Sequence, residues 1–389
     1  MREVVIVNYA RSAVGKAPRG KLRYTRPESI AADVIRGLLQ RTPNFDPTLV
    51  EDLIMGCAFP EAEQGLNIGR IAASLGGLPD QTAAQTINRF CASGVQTIAT
   101  AHNAILAGNI EVAIAGGCDS MSTVPGGGNM NFPHPELLAK QPGHYLSMGI
   151  TAENVADLYN ISRSKQDALA LRSHHLAERA QLNGWFKDEI VDVTAISPSE
   201  DSLSANTFVF NQDEGIRKGC KPEDLEKLKP VFRKGGSVTA GNSSQMSDGA
   251  GFVLMMTRER ADALGLKPIA KIKAFSAVGV PPEIMGVGPM YAIPKALKQA
   301  GMTLKDIELI ELNEAFASQA IACMEQLNIN QDIVNVNGGA IALGHPLGGS
   351  GAFLTSKLFS ELKRRDQSIG LVSMCVGGGM GAAIIYEML

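Results

Sequence analysis

The sequence predicts an α/β layered fold made of two copies of one unit. Short β-branched runs at residues 4–7, 53–55, 112–115 and 371–374 alternate with segments of helical period such as 30–39. Short echoes recur in a fixed order along the chain. The 41 glycines, about 10% of the chain, exceed the usual ~7% and imply tight turns and close backbone approaches.

The echoes define the copies. Ser12-Ala13-Val14-Gly15 follows an opening strand and returns as Ser276-Ala277-Val278-Gly279 at an offset of 264. Pro27 and Pro289 each precede a helix at an offset of 262, and Glu51-Asp52-Leu53-Ile54 returns as Ile307-Glu308-Leu309-Ile310 at 256. Ser93-Gly94 returns as Ser350-Gly351 at 257; each pair opens a helix leading to a strand that ends in Gly-Gly, at 116–117 and 377–378. Offsets that change by a few residues are what unequal loops between two copies would give. The expected halves are therefore 1–266 and 267–389. An insertion at about 118–246 in the first half has no counterpart in the second. It holds a Pro/Gly/Asn-rich loop at 125–133, helical segments at 151–159 and 165–182, and a polar stretch at 197–207, and it reads as a lid.

A chain of 389 residues is long enough for two or three units of roughly 150 residues, and 45% apolar with 19% charged residues is an ordinary globular mixture. Thirty-six basic against 39 acidic side chains leave a net charge of −3, so neither nucleic acid nor an acidic membrane surface is called for. A strand pattern beginning at residue 4 leaves no room for a targeting segment, and a cytoplasmic location is expected. The most apolar stretch, 370–386, is uncharged but Gly-rich and short of the ~20 residues that span a bilayer. The six cysteines form no C-x-x-C pair and the six histidines offer no ligand spacing, so no metal and no structural zinc are expected.

Four segments carry chemistry. Cys91 stands just before a helix whose apolar positions Val95, Ile98, Ile105 and Leu106 recur at helical spacing. A helix N-terminus and a basic neighbour would raise its thiolate fraction, although a lone cysteine also reads as a small buried hydrophobe. His345 lies in Gly344-His345-Pro346-Leu347-Gly348, too rich in Gly and Pro for a helix and suited to fixing an imidazole; a core or capping histidine is the alternative. Cys375 ends the strand 371–374 and enters Val376-Gly377-Gly378-Gly379, a strand end beside exposed amides. Gly377 to Ala382 formally fits G-x-G-x-x-A, but only seven residues follow, too few for a dinucleotide-binding βαβ unit. Asn313-Glu314-Ala315-Phe316-Ala317 marks a strand giving way to a helix, where Asn313 would by itself be a cap.

Together the Cys91 segment, N-E-A-F-A at 313–317, G-H-P-x-G at 344–348 and C-x-G-x-G at 375–379 resemble the thiolase family over essentially the whole length, in the family's order. That resemblance implies a five-layered αβαβα fold of two similar halves with a loop domain inserted in the first, assembled as a homodimer or homotetramer. It implies Cys91 as the nucleophile that carries the acyl group, His345 as its activating base, and Cys375 as the second acid/base. It further implies two oxyanion sites: His345 with a water held by Asn313, and the main-chain N–H groups of Cys91 and Gly377. CoA contacts would come from Ala240 and Ser244 in Ala240-Gly241-Asn242-Ser243-Ser244 and from Arg217, with Met148 and Phe316 lining the acyl pocket.

Ser147 stands before Met148-Gly149, where short-chain biosynthetic members usually carry histidine, so the chain resembles the degradative 3-ketoacyl-CoA thiolases more. Gly349 stands where many relatives carry cysteine. The expected function is thiolytic cleavage of 3-ketoacyl-CoA in β-oxidation, with CoA as substrate, no further cofactor, and a β-oxidation multienzyme complex as a candidate partner. An acetoacetyl-CoA thiolase working toward condensation is the enzymatic alternative, and a catalytically silent acyl-CoA or lipid-binding relative the alternative of another class.

Overall fold

The computed structural model describes residues 2–126, 128–129, 132–199 and 205–389. Among them ten strands form one mixed array. Apart from the two-residue strand Gly15–Lys16 these are β1 (Val4–Arg11), β2 (Asp52–Gly56), β3 (Ala83–Ile87), β4 (Val112–Ser120), β5 (Ser247–Thr257), β6 (Ala270–Gly279), β7 (Leu309–Leu312), β8 (Ile369–Val376) and β9 (Met380–Met388). Helices of eight residues or more are α1 (Pro27–Gln40), α2 (Ile68–Leu75), α3 (Ser93–Leu106), α4 (Met148–Leu158), α5 (Arg163–Leu182), α6 (Gly288–Ala300), α7 (Ala317–Leu327) and α8 (Ser350–Arg365).

The strand order β7-β8-β9-β6-β1-β5-β4-β2-β3 is two sheets joined edge to edge, because β1 and β6 meet at a single residue pair, Ile6 with Ala270. Outward from that seam the halves repeat: β1-β5-β4-β2 and β6-β9-β8-β7 each run antiparallel, antiparallel, then parallel. Register fixes the equivalences. Gly56 pairs with Gly117 between β2 and β4, and Leu312 with Ser373 between β7 and β8, so the copies are offset by 256 residues here. The Ser93 and Ser350 echo also holds, since both residues open a helix after a three-residue 3₁₀ turn. The Gly-Gly echo does not. Gly116 and Gly117 lie inside β4, whereas Gly377 and Gly378 lie in the turn beyond β8.

Alternation along each strand builds the layers. In the first sheet Leu53 and Met55 face α1 and α2, while Ile54 faces α3. In the second, Leu371 and Ile385 face α6 and α7, while Val372 and Met374 face α8. Helices α3 and α8 share one core between the sheets, giving five layers, αβαβα. They cross backbone to backbone: a Cβ on Gly351 would overlap Val95 N, and one on Gly94 would come within 2.8 Å of Ala352 N. This close approach is the reason for both Ser-Gly pairs.

Inside the first copy, between β4 and β5, α4, α5 and the hairpin Val193–Pro198 with Ala205–Phe210 belong to the insertion. The strand β4 runs on to Ser120, so residues 118–120, expected to open the insertion, belong to the sheet. Of the loop 125–133 and the polar stretch 197–207, residues 127, 130–131 and 200–204 lie outside the described ones.

Candidate active site

Residues Asn88 to Ala92 turn the chain from β3 into α3, and the turn is tightly held. Phe90 takes a left-handed φ of 43°, its N–H donates to Asn88 Oδ1 at 2.8 Å, and Ser93 Oγ accepts from Arg89 N at 2.9 Å while donating to Phe90 O at 2.7 Å. A non-glycine residue in that region is strained and persists only because its surroundings hold it. Next to it the half-buried Cys91 thiol lies near the main-chain N–H groups of Gly377 and of Cys91 itself, donors that favour its thiolate. Burial outweighs these donors and pushes the thiol up to about 11. The expected basic neighbour is engaged elsewhere, Arg89 Nε donating to Gln96 Oε1 at 2.7 Å. The thiol is therefore protonated at rest, and a base must take its proton.

At the end of β8, Cys375 is fully buried among Ala152, Val238, Met285, Ala315 and Phe316. Burial raises its thiol well above the ordinary range, and a thiolate at Cys91 would raise it further, so the two sulfurs are electrostatic neighbours. The turn Gly377-Gly378-Gly379 follows, with φ of 79° at Gly378 and 84° at Gly379. Gly377 has room for a Cβ, Met148 Sδ being 3.5 Å away, so neither crowding nor backbone conformation demands glycine there.

His345 is 4% exposed. Its loop is fixed by Gly344 at φ 107°, where a Cβ would overlap Ser247 Oγ, and by a hydrogen bond from His345 N to that same oxygen at 2.9 Å. Ser350 Oγ lies 2.6 Å from Nδ1 and Asn313 Nδ2 lies 3.2 Å from Nε2. An amide NH₂ can only donate, so Nε2 carries the lone pair and Nδ1–H donates to Ser350. Burial lowers this histidine to about 4, which keeps the imidazole neutral. A cysteine at 349 would press its Cβ against Gly117 O and Gly249 O, each 3.0 Å away, and glycine avoids that contact.

The remaining expected residues fall into two groups. Ser244 N donates to Ala315 O and Ala317 N to Asn242 O, both at 2.9 Å, so the segment 240–244 runs beside the Asn313 segment. Phe316 reaches Cys375 and stacks edge-on with Phe232, with ring centroids 6.0 Å apart, while Met148 stands over Gly377. Arg217 and exposed Ala240 meet each other instead, the guanidinium Nη2 donating to Ala240 O at 3.5 Å. Sequence reasoning missed Ser350, whose echo of Ser93 read only as a helix start, and Ser247, which carries no motif.

A pair of thiols, a neutral imidazole whose Nε2 carries the lone pair, and nearby main-chain N–H groups are the parts for acyl transfer through a thioester. Comparison with known proteins agrees. The thiolase N-terminal domain matches residues 4–259 and the thiolase C-terminal domain residues 266–388. The chain belongs to the thiolase family. It is 52% identical to a 3-ketoacyl-CoA thiolase of Bacillus subtilis over 100% of both chains. Against a peroxisomal 3-ketoacyl-CoA thiolase 1 of Arabidopsis thaliana it is 44% identical, covering 99% of this chain and 87% of that one. Among solved thiolase-like structures, a Bacillus anthracis acetyl-CoA acetyltransferase superposes with a TM-score of 0.91 at 40% identity, covering 100% of this chain and 99% of the other.

Proposed function

We propose that this thiolase is an acetyl-CoA C-acyltransferase that cleaves 3-ketoacyl-CoA with CoA, releasing acetyl-CoA and an acyl-CoA two carbons shorter. One observation carries the reading: the turn Phe90–Ala92 that holds Cys91 packs against β8, the strand that carries Cys375, so the two halves bring the two thiols to one place. His345 Nε2 takes the Cys91 proton and the thiolate attacks the C3 carbonyl. The tetrahedral oxyanion collapses, the C2–C3 bond breaks, and its electron pair becomes the enolate of acetyl-CoA while the acyl group stays on Cys91. Cys375 protonates C2 of that enolate. It then takes the proton of incoming CoA, whose thiolate attacks the acyl-Cys91 carbonyl and expels the Cys91 thiolate, which recovers its proton from His345 Nε2.

Proton transfer also builds an oxyanion site. Protonated Nε2 can no longer accept from Asn313, so Nε2–H and Asn313 Nδ2–H, 3.2 Å apart at rest, both become donors for one thioester oxygen. Ser244, Ala240 and Arg217 would contact CoA, and Met148 and Phe316 the acyl chain. The same reading carries a homo-oligomer, a cytoplasmic location, a place in fatty acid β-oxidation, and CoA as substrate with no resident cofactor. Among the described residues no helix is long and apolar enough to cross a membrane.

A second reading, acetoacetyl-CoA condensation, has the acetyl-CoA acetyltransferase likeness in its favour. Measuring kcat/KM for acetoacetyl-CoA and for a long-chain 3-ketoacyl-CoA separates them. Comparable or better use of the long substrate supports the degradative reading, and a strong preference for the four-carbon substrate overturns it.

A further inference from the structure

The duplication implies a second, hidden copy of the reactive centre. Register equates Asp119 with Cys375 through the 256-residue offset of β4 and β8, and Cys57 with Asn313 by the same offset. The matched helix starts equate Gly348 with Cys91 and Asn88 with His345 at 257. Cys91, His345, Cys375 and Asn313 therefore each have a twin in the other half, and three of the twins, Gly348, Asp119 and Cys57, also converge. Gly348 N, the counterpart of Cys91 N, donates to Asp119 Oδ2. Ala58 N donates to the same oxygen at 2.9 Å, Gln64 Nε2 donates to Oδ1 at 3.0 Å, and Cys57 Sγ lies 3.6 Å from Oδ1.

We propose that Asp119 is a positioning residue: its carboxylate is a built-in anion that holds Gly348 N–H, the twin of the Cys91 N–H, and it fastens the loop carrying His345 to the half carrying Cys91. The proposal rests on the thiolase reading. The connection is direct along the chain. Gly348 follows His345 by three residues, while Ala58, Gln64 and Asp119 all belong to the first half. The fit is close, since a Cβ on Gly348 would sit 2.5 Å from Asp119 Oδ2 and one on Gly117 would overlap Gly348 O. Asp119 is 1% exposed; burial outweighs these donors and raises its carboxyl to about 6, which leaves it ionised at neutral pH. A carboxylate accepts at both oxygens, and four donors suit it; an amide would set its own N–H₂ against one of them.

The test is Asp119→Asn in the full-length enzyme. We expect kcat and the rate of Cys91 alkylation by iodoacetamide to fall together, tenfold or more, because both need His345 placed to take the thiol proton, with KM for 3-ketoacyl-CoA and CoA within twofold of wild type. A merely structural defect would move all of these together, and that outcome, or kcat within twofold of wild type, overturns the proposal. If that variant does not fold, Asp119→Ala decides: activity restored at least tenfold by formate but not by formamide supports the anion role. Equal inactivity in both, or failure to fold with formate present, overturns it. Failure of the thiolase reading is distinguishable, because the wild-type enzyme would then be inactive on 3-ketoacyl-CoA.

Discussion

Replacing Ser350 by alanine isolates one hydrogen bond of the proposed base. In the wild type Nδ1–H donates to Ser350 Oγ at 2.6 Å inside a site where His345 is 4% exposed, so water is poorly placed to replace the hydroxyl. When Nε2 takes the Cys91 proton the ring becomes an imidazolium, and the bond at Nδ1 becomes charge-assisted. Hydrogen bonds to charged groups are worth about 1.5–3 kcal/mol, and each 1.36 kcal/mol is tenfold in rate, so acylation should slow roughly 10- to 150-fold. Binding should change little, because the serine reaches substrate only through the histidine. The assay is a rapid-quench single turnover with 3-ketoacyl-CoA, scoring acyl-Cys91 by mass spectrometry, alongside circular dichroism of the variant. A correctly folded Ser350→Ala enzyme that acylates within twofold of wild type would refute the assignment of Nδ1–H, and with it the tautomer required of the base.

Cys91→Ala should abolish acyl-enzyme, whereas Cys375→Ala should still acylate but lose exchange of the α-protons of acetyl-CoA with solvent, measured by NMR in D₂O; equal loss of both activities in the latter contradicts the division of labour. Gly351→Ala should cost about 3 kcal/mol or more in urea unfolding, because the new Cβ overlaps backbone at Val95 that cannot rotate away, while Gly377→Ala, with its nearest neighbour at 3.5 Å, should unfold like wild type. Since burial lowers His345 to about 4 from an ordinary 6.5, the unfolded chain binds its proton and the folded chain does not between those values. Stability contributed by the neutral ring is thus present above about pH 6.5 and is lost as pH falls toward 4, by about 3 kcal/mol. Parallel pH dependence of stability for wild type and His345→Asn would contradict this.

Much of this architecture is legible because chemistry and backbone geometry leave marks on short stretches of sequence. Gly344, at φ 107°, admits little but glycine, and the flanking His-Pro marks a fixed loop. The Ser-Gly pairs are visible because two helices touch through Gly94 and Gly351. What burial decides is not visible. A cysteine before a helix reads as an acidified thiol, yet removal from water dominates at Cys91, and Arg89 turns to Gln96. The Gly-Gly echo misleads for a related reason: Gly117 is small to admit Gly348 O, while Gly378 and Gly379 are there for a turn of positive φ. One residue type serves two purposes, and only strand register separates them. The same register exposes the kinship of Asp119 with Cys375, which side-chain identity hides.

Duplication explains why the reactive centre lies between the copies. Each half supplies a helix start and a strand end, and because α3 and α8 cross through glycine, each helix start is brought against the opposite half. Two convergent anion-binding corners follow from that geometry, whether or not both are wanted. An empty buried corner of unpaired N–H groups is costly, so a corner without a substrate needs a resident acceptor. With Gly348 at the helix start and Asp119 at the strand end, one corner satisfies its own donors. With Cys91 and Cys375 at the equivalent places, the other has only thiol sulfurs, weak acceptors, near the Gly377 and Cys91 N–H groups, and a thioester oxygen can take those donors. Activity in one corner and rigidity in the other would thus come from the same backbone, divided by which side chain ends the strand.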